Sequence, residues 1–278
     1  MSQDILERKP PVADARIGYG TGASQFGDLW LPGEGKGPGG FPVVVVIHGG
    51  WWQAGYGLGY CGFLCAALRA QGVAVWSVEY RRVGDAGGGW PGTMQDVAAG
   101  FDFVGTLGKR YPLDLQRIVV AGHSAGGQLA FWLAGRHHIP PNSVLHEPQP
   151  KLGIRGLVGL AGAVDLRLDE ELGGVFFYAN ARPAAESLMG GPANEWPDRY
   201  HAANPGDLLP LSVPQVLLQG SEDDQIPAKL PGRWAAMARR QGDAVEVMML
   251  PGAGHFDVVD PQSKVWPAVR AAVLKMLR

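Results

Sequence analysis

Ser124 sits in Gly122-His123-Ser124-Ala125-Gly126, a Gly-x-Ser-x-Gly spacing followed by a further Gly127. A serine hydroxyl attacks a carbonyl only when a neighbouring base takes its proton. A hydrolytic reading therefore needs a histidine, an acid to orient it, and donors for the developing oxyanion. The chain offers each of these. His255 lies in Pro251-Gly252-Ala253-Gly254-His255-Phe256, a loop of small residues, and is the candidate base. Asp223 lies in Gly220-Ser221-Glu222-Asp223-Asp224-Gln225-Ile226-Pro227. The spacing Gly-x-x-Asp-x-x-apolar-Pro selects Asp223 as the acid, with Asp224 the fallback and Glu222 third. In His48-Gly49-Gly50-Trp51-Trp52, consecutive glycines let backbone N–H groups approach a ligand unobstructed. Gly50 and Trp51 are the expected oxyanion donors, with Ala125, next to the serine, as the third.

Other chemistry-bearing residues have plainer readings. His48 braces its loop by hydrogen bonding, and His137, His138 and His146 belong to a solvated surface. Glu79, in Glu79-Tyr80-Arg81-Arg82, pairs with a nearby arginine at a strand end. Asp96 reads as a first-turn helix acid, favoured by the helix dipole, and Asp165 as the cap opening an insertion. Trp52, Tyr56 and Trp90 are expected to line the substrate pocket beside Trp51, with Trp52 foremost, favouring a planar or apolar substituent. Cys61 and Cys65 read as buried reduced thiols, because Cβ vectors four apart on a helix diverge. No His/Cys/carboxylate cluster has ligand spacing, so neither metal nor cofactor is expected.

These residues must be brought to one place by the elements between them. Ala15 to Leu31 alternates like an antiparallel edge pair, and Pro32 to Pro42 reads as an exposed loop. Strands are expected over Pro42–Ile47, Val73–Glu79, Arg117–Ala121, Ile154–Ala161, Gln215–Gln219 and Val245–Leu250. Helices are expected over Leu58–Gln71, Met94–Leu107, Gly126–Ala134, Arg233–Arg240 and Val265–Leu277. Such alternation predicts an α/β domain with a mostly parallel sheet between helices, whose sites form at the carboxyl ends of the strands. Ser124, His255, Asp223 and the Gly49-Gly50 loop all follow strands, and so share that edge. Ser124 also falls between a strand and a helix, where a sharp turn pushes the hydroxyl above the sheet. Residues 165–210 break the alternation with several aromatics and prolines, and are expected to form a lid insertion within a single domain spanning 1–278.

The chain has 278 residues, 46% of them hydrophobic, with 24 basic and 26 acidic side chains. That is enough apolar material for a large core. A formal charge of −2 without a basic block argues against nucleic acid or an anionic membrane as partner, and points to a small molecule. The charged segment Met1 to Pro11 lacks the apolar run of a signal peptide, which suggests a cytoplasmic protein.

The motifs His48-Gly49-Gly50-x-Trp52, Gly122 to Gly127, Gly220-x-x-Asp223 and the terminal His255 together resemble the α/β-hydrolase superfamily. The likeness is to its hormone-sensitive-lipase-like and prolyl-oligopeptidase-like branches, from about Gly18 onward and weakest between Leu166 and Asn204. The order serine, aspartate, histidine agrees with that superfamily. Trp51 replaces the third glycine of the lipase-like oxyanion motif. His-Gly-Gly-x-Trp and His255-Phe256-Asp257-Val258-Val259 are also similar to arylformamidases, and feruloyl and acetyl-xylan esterases carry related patterns. The resemblance implies a serine carboxylesterase acting on a small or aryl ester. Arylformamidase is the alternative, and an inactive hydrolase fold serving as a binding module is the reading from another class.

Overall fold

Four consecutive valines, Val43 to Val46, can all be buried only in a sheet covered on both faces. The computed structural model, which describes residues 2–33, 37, 39–147, 151–167 and 175–278 (without the side chains of 2–3 and 175–181), puts them there. Eight strands form one sheet in the order β1-β2-β4-β3-β5-β6-β7-β8. β3 (Phe41–Ile47) runs near the centre, parallel to β4 (Ala74–Val78) on one side and β5 (Leu113–His123) on the other. β6 (Gly156–Leu160), β7 (Gln215–Gly220) and β8 (Val245–Leu250) continue in parallel. β1 (Ala15–Gly18) and β2 (Phe26–Trp30) form the expected antiparallel edge.

Because side chains alternate along a strand, β3 serves two cores. Val43, Val45 and Ile47 pack with Phe101, Leu129, Phe131 and Trp234. Val44 and Val46 pack on the other face with Leu64, Leu68, Val269 and Val273. Helix α1 (Gly62–Arg69) covers the second face, and α2 (Gly92–Asp102) with the short α3 (Val104–Leu107) covers the first. α4 (Ala125–Gly135) has all of its residues buried, as a helix that is apolar all round must. α5 (Val175–Met189), α6 (Pro197–Ala203), α7 (Leu230–Arg240) and α8 (Trp266–Met276) complete the layers.

The expected elements are present, with shifted boundaries. β5 starts at Leu113 instead of Arg117, because Leu113 and Asp114 pair with Phe41 and Pro42 before the register shifts at Pro42/Val43. Leu58–Cys61 is a 3-10 turn ahead of α1. Cys61 and Cys65 are free and buried, and burial pushes the Cys61 thiol up to about 12 and that of Cys65 well above its usual range. In the expected insertion, Leu188, Met189, Tyr200, Ala202 and Ala203 are built into the first core. Its residues 168–174 lie outside the described residues, as do the side chains of Phe176, Phe177 and Tyr178. Among the described residues no helix is long and apolar enough to cross a membrane.

Candidate active site

β5 ends at His123 and α4 begins at Ala125, so a single residue, Ser124, makes the turn at φ 54° and ψ −125°. A side chain in that region is strained and persists only where its surroundings fix it. Here the Ser124 N–H donates to the Leu160 carbonyl at 3.0 Å, and its carbonyl accepts from Gly127 at 2.8 Å and Ala163 at 2.9 Å. Gly126 permits the turn for a steric reason. A Cβ there would lie 2.2 Å from the Ile47 carbonyl oxygen and 2.4 Å from that of His48. The start of α4 thus touches the end of β3 through backbone alone.

His255 and Asp223 meet from loops after β8 and β7. His255 Nδ1 lies 2.9 Å from Asp223 Oδ2 and 3.1 Å from Oδ1. Asp223 also accepts from Gln219 Nε2 and from the N–H groups of Gln225 and Ile226, at 2.8, 2.8 and 2.9 Å. Burial opposes its ionisation, but His255 and these N–H donors outweigh burial and hold the carboxyl below its usual range. Its side chain is 0% exposed. The adjacent Asp224 is exposed and, among the described residues, accepts only from Gln225 Nε2, at 3.4 Å. The acid that meets the imidazole is therefore the one selected by spacing.

Ser124 and His255 line one small cavity of about 80 Å³, together with Gly50, Trp51, Tyr56, Gln225 and Phe256. Gly50, Trp51 and Trp52 all have positive φ, of 109°, 55° and 56°, and the first two line the cavity. The preceding Gly49 N–H is engaged by Tyr60 Oη at 2.7 Å. Gly50 and Trp51 follow it into the cavity wall, and Ala125 opens a helix whose first N–H groups have no partner within the helix. Gly50 and Trp51 thus line the same cavity as Ser124, and Ala125 follows it in the chain. His48 braces this loop as expected: Nδ1 donates to the Gly49 carbonyl at 2.7 Å, Nε2 meets Glu79 Oε1 at 2.8 Å, and the ring stacks on Tyr80. Glu79 also pairs with Arg82 at 3.1 Å. Burial opposes its charge, but His48, Arg82 and the Leu58 N–H pull its carboxyl below the ordinary range.

Two pocket expectations need correction. Trp52 is 2% exposed and packs in the first core, where its indole N–H donates to Gln128 Oε1 at 3.2 Å. Trp90 lines a separate cleft of about 180 Å³ with Pro140, Val144 and Arg199. Tyr56 is at the cavity as expected. Asp96 is not a first-turn acid either. It lies in the second turn of α2, with Arg81 bound through Nε and Nη2 at 2.7 Å each. Five cavity residues have no role in the sequence reading: Leu6, Tyr60, His123, Gln225 and Phe256. A larger cleft of about 410 Å³, between residues 10–16 and Trp30, contains none of the candidate groups.

The BD-FAE family matches residues 28–232, a span that includes β3 to β7, Ser124 and Asp223. The chain belongs to the BD-FAE family. This BD-FAE chain is 28% identical to Esterase LipC of Mycobacterium tuberculosis, over 96% of its own length and 68% of the relative's. It is 25% identical to a probable isoprenylcysteine alpha-carbonyl methylesterase, ICMEL1, of Arabidopsis thaliana, over 89% of its length and 52% of the relative's. The chain thus spans between about half and two thirds of these curated relatives. Among solved structures it resembles esterase B from Lactobacillus rhamnosis, with a TM-score of 0.81 at 19% identity over 99% of this chain and 89% of that one. A truncated carbohydrate esterase from gut microbiota gives 0.79 at 19% identity, covering 97% of this chain and 99% of that one. The fold is that of the α/β-hydrolases.

Proposed function

We propose that the BD-FAE chain is a serine carboxylesterase that cleaves small or aryl esters through an acyl-enzyme on Ser124. The observation that carries this reading is the His255–Asp223 pair opening onto the same cavity as Ser124 on its strained turn. Ser124 Oγ attacks the ester carbonyl carbon as its proton passes to His255 Nε2. The N–H groups of Gly50, Trp51 and Ala125 hold the oxyanion. Collapse breaks the carbon–oxygen bond to the alcohol, which leaves with the proton from His255. Water then repeats the sequence on the acyl-enzyme, and Asp223 stabilises the imidazolium in both halves. The reaction needs no cofactor.

Cavity size supports the substrate class. Ligand pockets usually run to roughly 300–1,000 Å³, whereas this one measures about 80 Å³ between Leu6, Trp51, Tyr56 and Phe256. A short acyl chain or one aryl ring suits it better than a long chain. The esterase names of the relatives support ester over amide cleavage. The test combines fluorophosphonate labelling with p-nitrophenyl esters of rising acyl length, run beside methyl ferulate and N-formylkynurenine. Labelling at Ser124 and a preference for short esters are expected. Turnover of N-formylkynurenine alone would replace the esterase reading with a formamidase one, and no labelling with no turnover would end both.

A further inference from the structure

His123 and Tyr60 fill no role in the scheme above, yet both are buried at its centre, 1% and 7% exposed. Their hydrogen bonds form a chain with one possible direction. His123 Nε2 lies 3.1 Å from the backbone carbonyl of His255. A carbonyl only accepts, so Nε2 carries the proton and donates it. In a neutral ring Nδ1 is then an acceptor, and it faces Tyr60 Oη at 2.7 Å. Tyr60 donates its O–H there, which leaves its oxygen to accept from the Gly49 N–H at 2.7 Å. Burial and then repulsion from His255 push His123 down to about 3, consistent with the neutral ring that this pattern requires.

We infer that Tyr60 and His123 are positioning residues that hold three separately connected segments in register. These are the loop after β3 that begins the oxyanion donors, the turn before Ser124, and the loop that carries His255. The inference rests on the esterase reading of Ser124 and His255. Strand pairing ties the ends of β3 and β5 at Ile47 and Gly122, but β6 and β7 stand between β5 and β8, so no strand hydrogen bond links the His255 loop to the other two. Ring contacts follow the same path: Tyr60 meets His123 edge-on at 5.4 Å, and His123 lies 4.7 Å from the His255 ring. Gly49 is pressed so close that a Cβ there would stand 2.6 Å from Ser124 Cβ and 3.2 Å from Tyr60 Oη. Turning Gly49 therefore displaces both Ser124 and the N–H groups that follow.

Tyr60→Phe keeps the ring and removes the hydroxyl that accepts from Gly49 and donates to His123. A displacement of about 1 Å at a reacting centre can cost roughly 10² in rate. With p-nitrophenyl acetate, kcat should fall roughly 10- to 100-fold while KM stays within about threefold, and fluorophosphonate labelling of Ser124 should slow in parallel. His123→Gln retains a donor at the Nε2 position towards the His255 carbonyl, and should lose less than His123→Ala. The double variant Tyr60→Phe/His123→Gln should be little worse than Tyr60→Phe, because coupled residues are not additive. Trp234→Phe, which removes one buried aromatic N–H bonded to Gln215 at 2.8 Å far from the cavity, should lower Tm without changing kcat. Unchanged kcat in Tyr60→Phe, or a loss matched by Trp234→Phe at equal Tm, would overturn the positioning role. A wild-type protein that neither hydrolyses the ester nor takes the label would instead overturn the esterase reading.

Discussion

Two buried histidine–carboxylate pairs among the described residues have nearly the same length, His255–Asp223 at 2.9 Å and His48–Glu79 at 2.8 Å. Both follow parallel strands, and both carboxyls are held below their ordinary range by the partner imidazole against the cost of burial. They differ at the other ring nitrogen. His48 has both nitrogens engaged, by Gly49 and Glu79, and its side chain is 0% exposed under Tyr80. His255 is tied to Asp223 through Nδ1 and lines the Ser124 cavity. A short bond to a carboxylate orients a histidine; only a ring with a nitrogen left for substrate can move a proton.

Breaking the His255 side of the comparison should have the largest effect. Ser124→Ala and His255→Ala should each lower kcat by ~10⁴–10⁶, with the double variant little worse, because they act as a unit. Retention of a tenth of the activity in either would show that the wrong residues have been chosen. Asp223→Asn should cost roughly 10²–10⁴ by favouring the wrong histidine tautomer, whereas Asp224→Asn should cost less than about tenfold. A reversal in folded protein, checked by circular dichroism, would exchange their roles.

The His48 side should respond in stability more than in rate. Glu79→Gln removes the charge facing His48 and Arg82, and should lower unfolding free energy by about 1–3 kcal/mol with kcat down less than about tenfold. Urea unfolding beside steady-state kinetics checks both. A rate loss as large as that of Asp223→Asn would erase the distinction between the pairs.

His123 sharpens the comparison through pH. Its native ring takes a proton only near pH 3, against an ordinary 6.5. Below pH 6.5 the unfolded chain therefore binds more protons, and stability falls as pH drops, by up to about 1.4 kcal/mol per unit. Asp223 and Glu79, with lowered carboxyl values, act in the same direction, but only as pH falls through the carboxylate range. Between pH 6.5 and 5 the Tm of His123→Gln should depend less steeply on pH than that of the wild type. Equal slopes would assign the effect elsewhere. The smallest effect is expected at Leu6, where Leu6→Ala widens the cavity wall and should shift the ratio of p-nitrophenyl butyrate to acetate turnover by roughly tenfold or less.

Much of this was legible in the chain because it is local. A strand's β-branched run, a Gly-x-Ser-x-Gly turn and a Gly-x-x-Asp spacing each describe a few adjacent residues, and the parallel topology then gathers their ends at one edge. The illegible parts depend on residues distant in sequence. Leu113 and Asp114 join β5 only because Phe41 and Pro42 lie opposite them. Asp96 reads as a first-turn helix acid until Arg81 and Gln25 are seen around it. Trp52 looks like pocket lining from its place beside two glycines, but its partner Gln128 and its core neighbours lie on other elements. Tyr60 carries no motif, and its partners are Gly49 and a histidine on β5.

The cavity joins Leu6, from one end of the sequence, to His255 and Phe256, near the other. Arg8 strengthens the junction with a 2.6 Å bridge to Asp260. A chain emerging from the ribosome presents its serine turn long before it can present the imidazole or close the wall. The cavity can therefore be completed only once residues 255–260 have been made and meet the segment around Leu6 and Arg8.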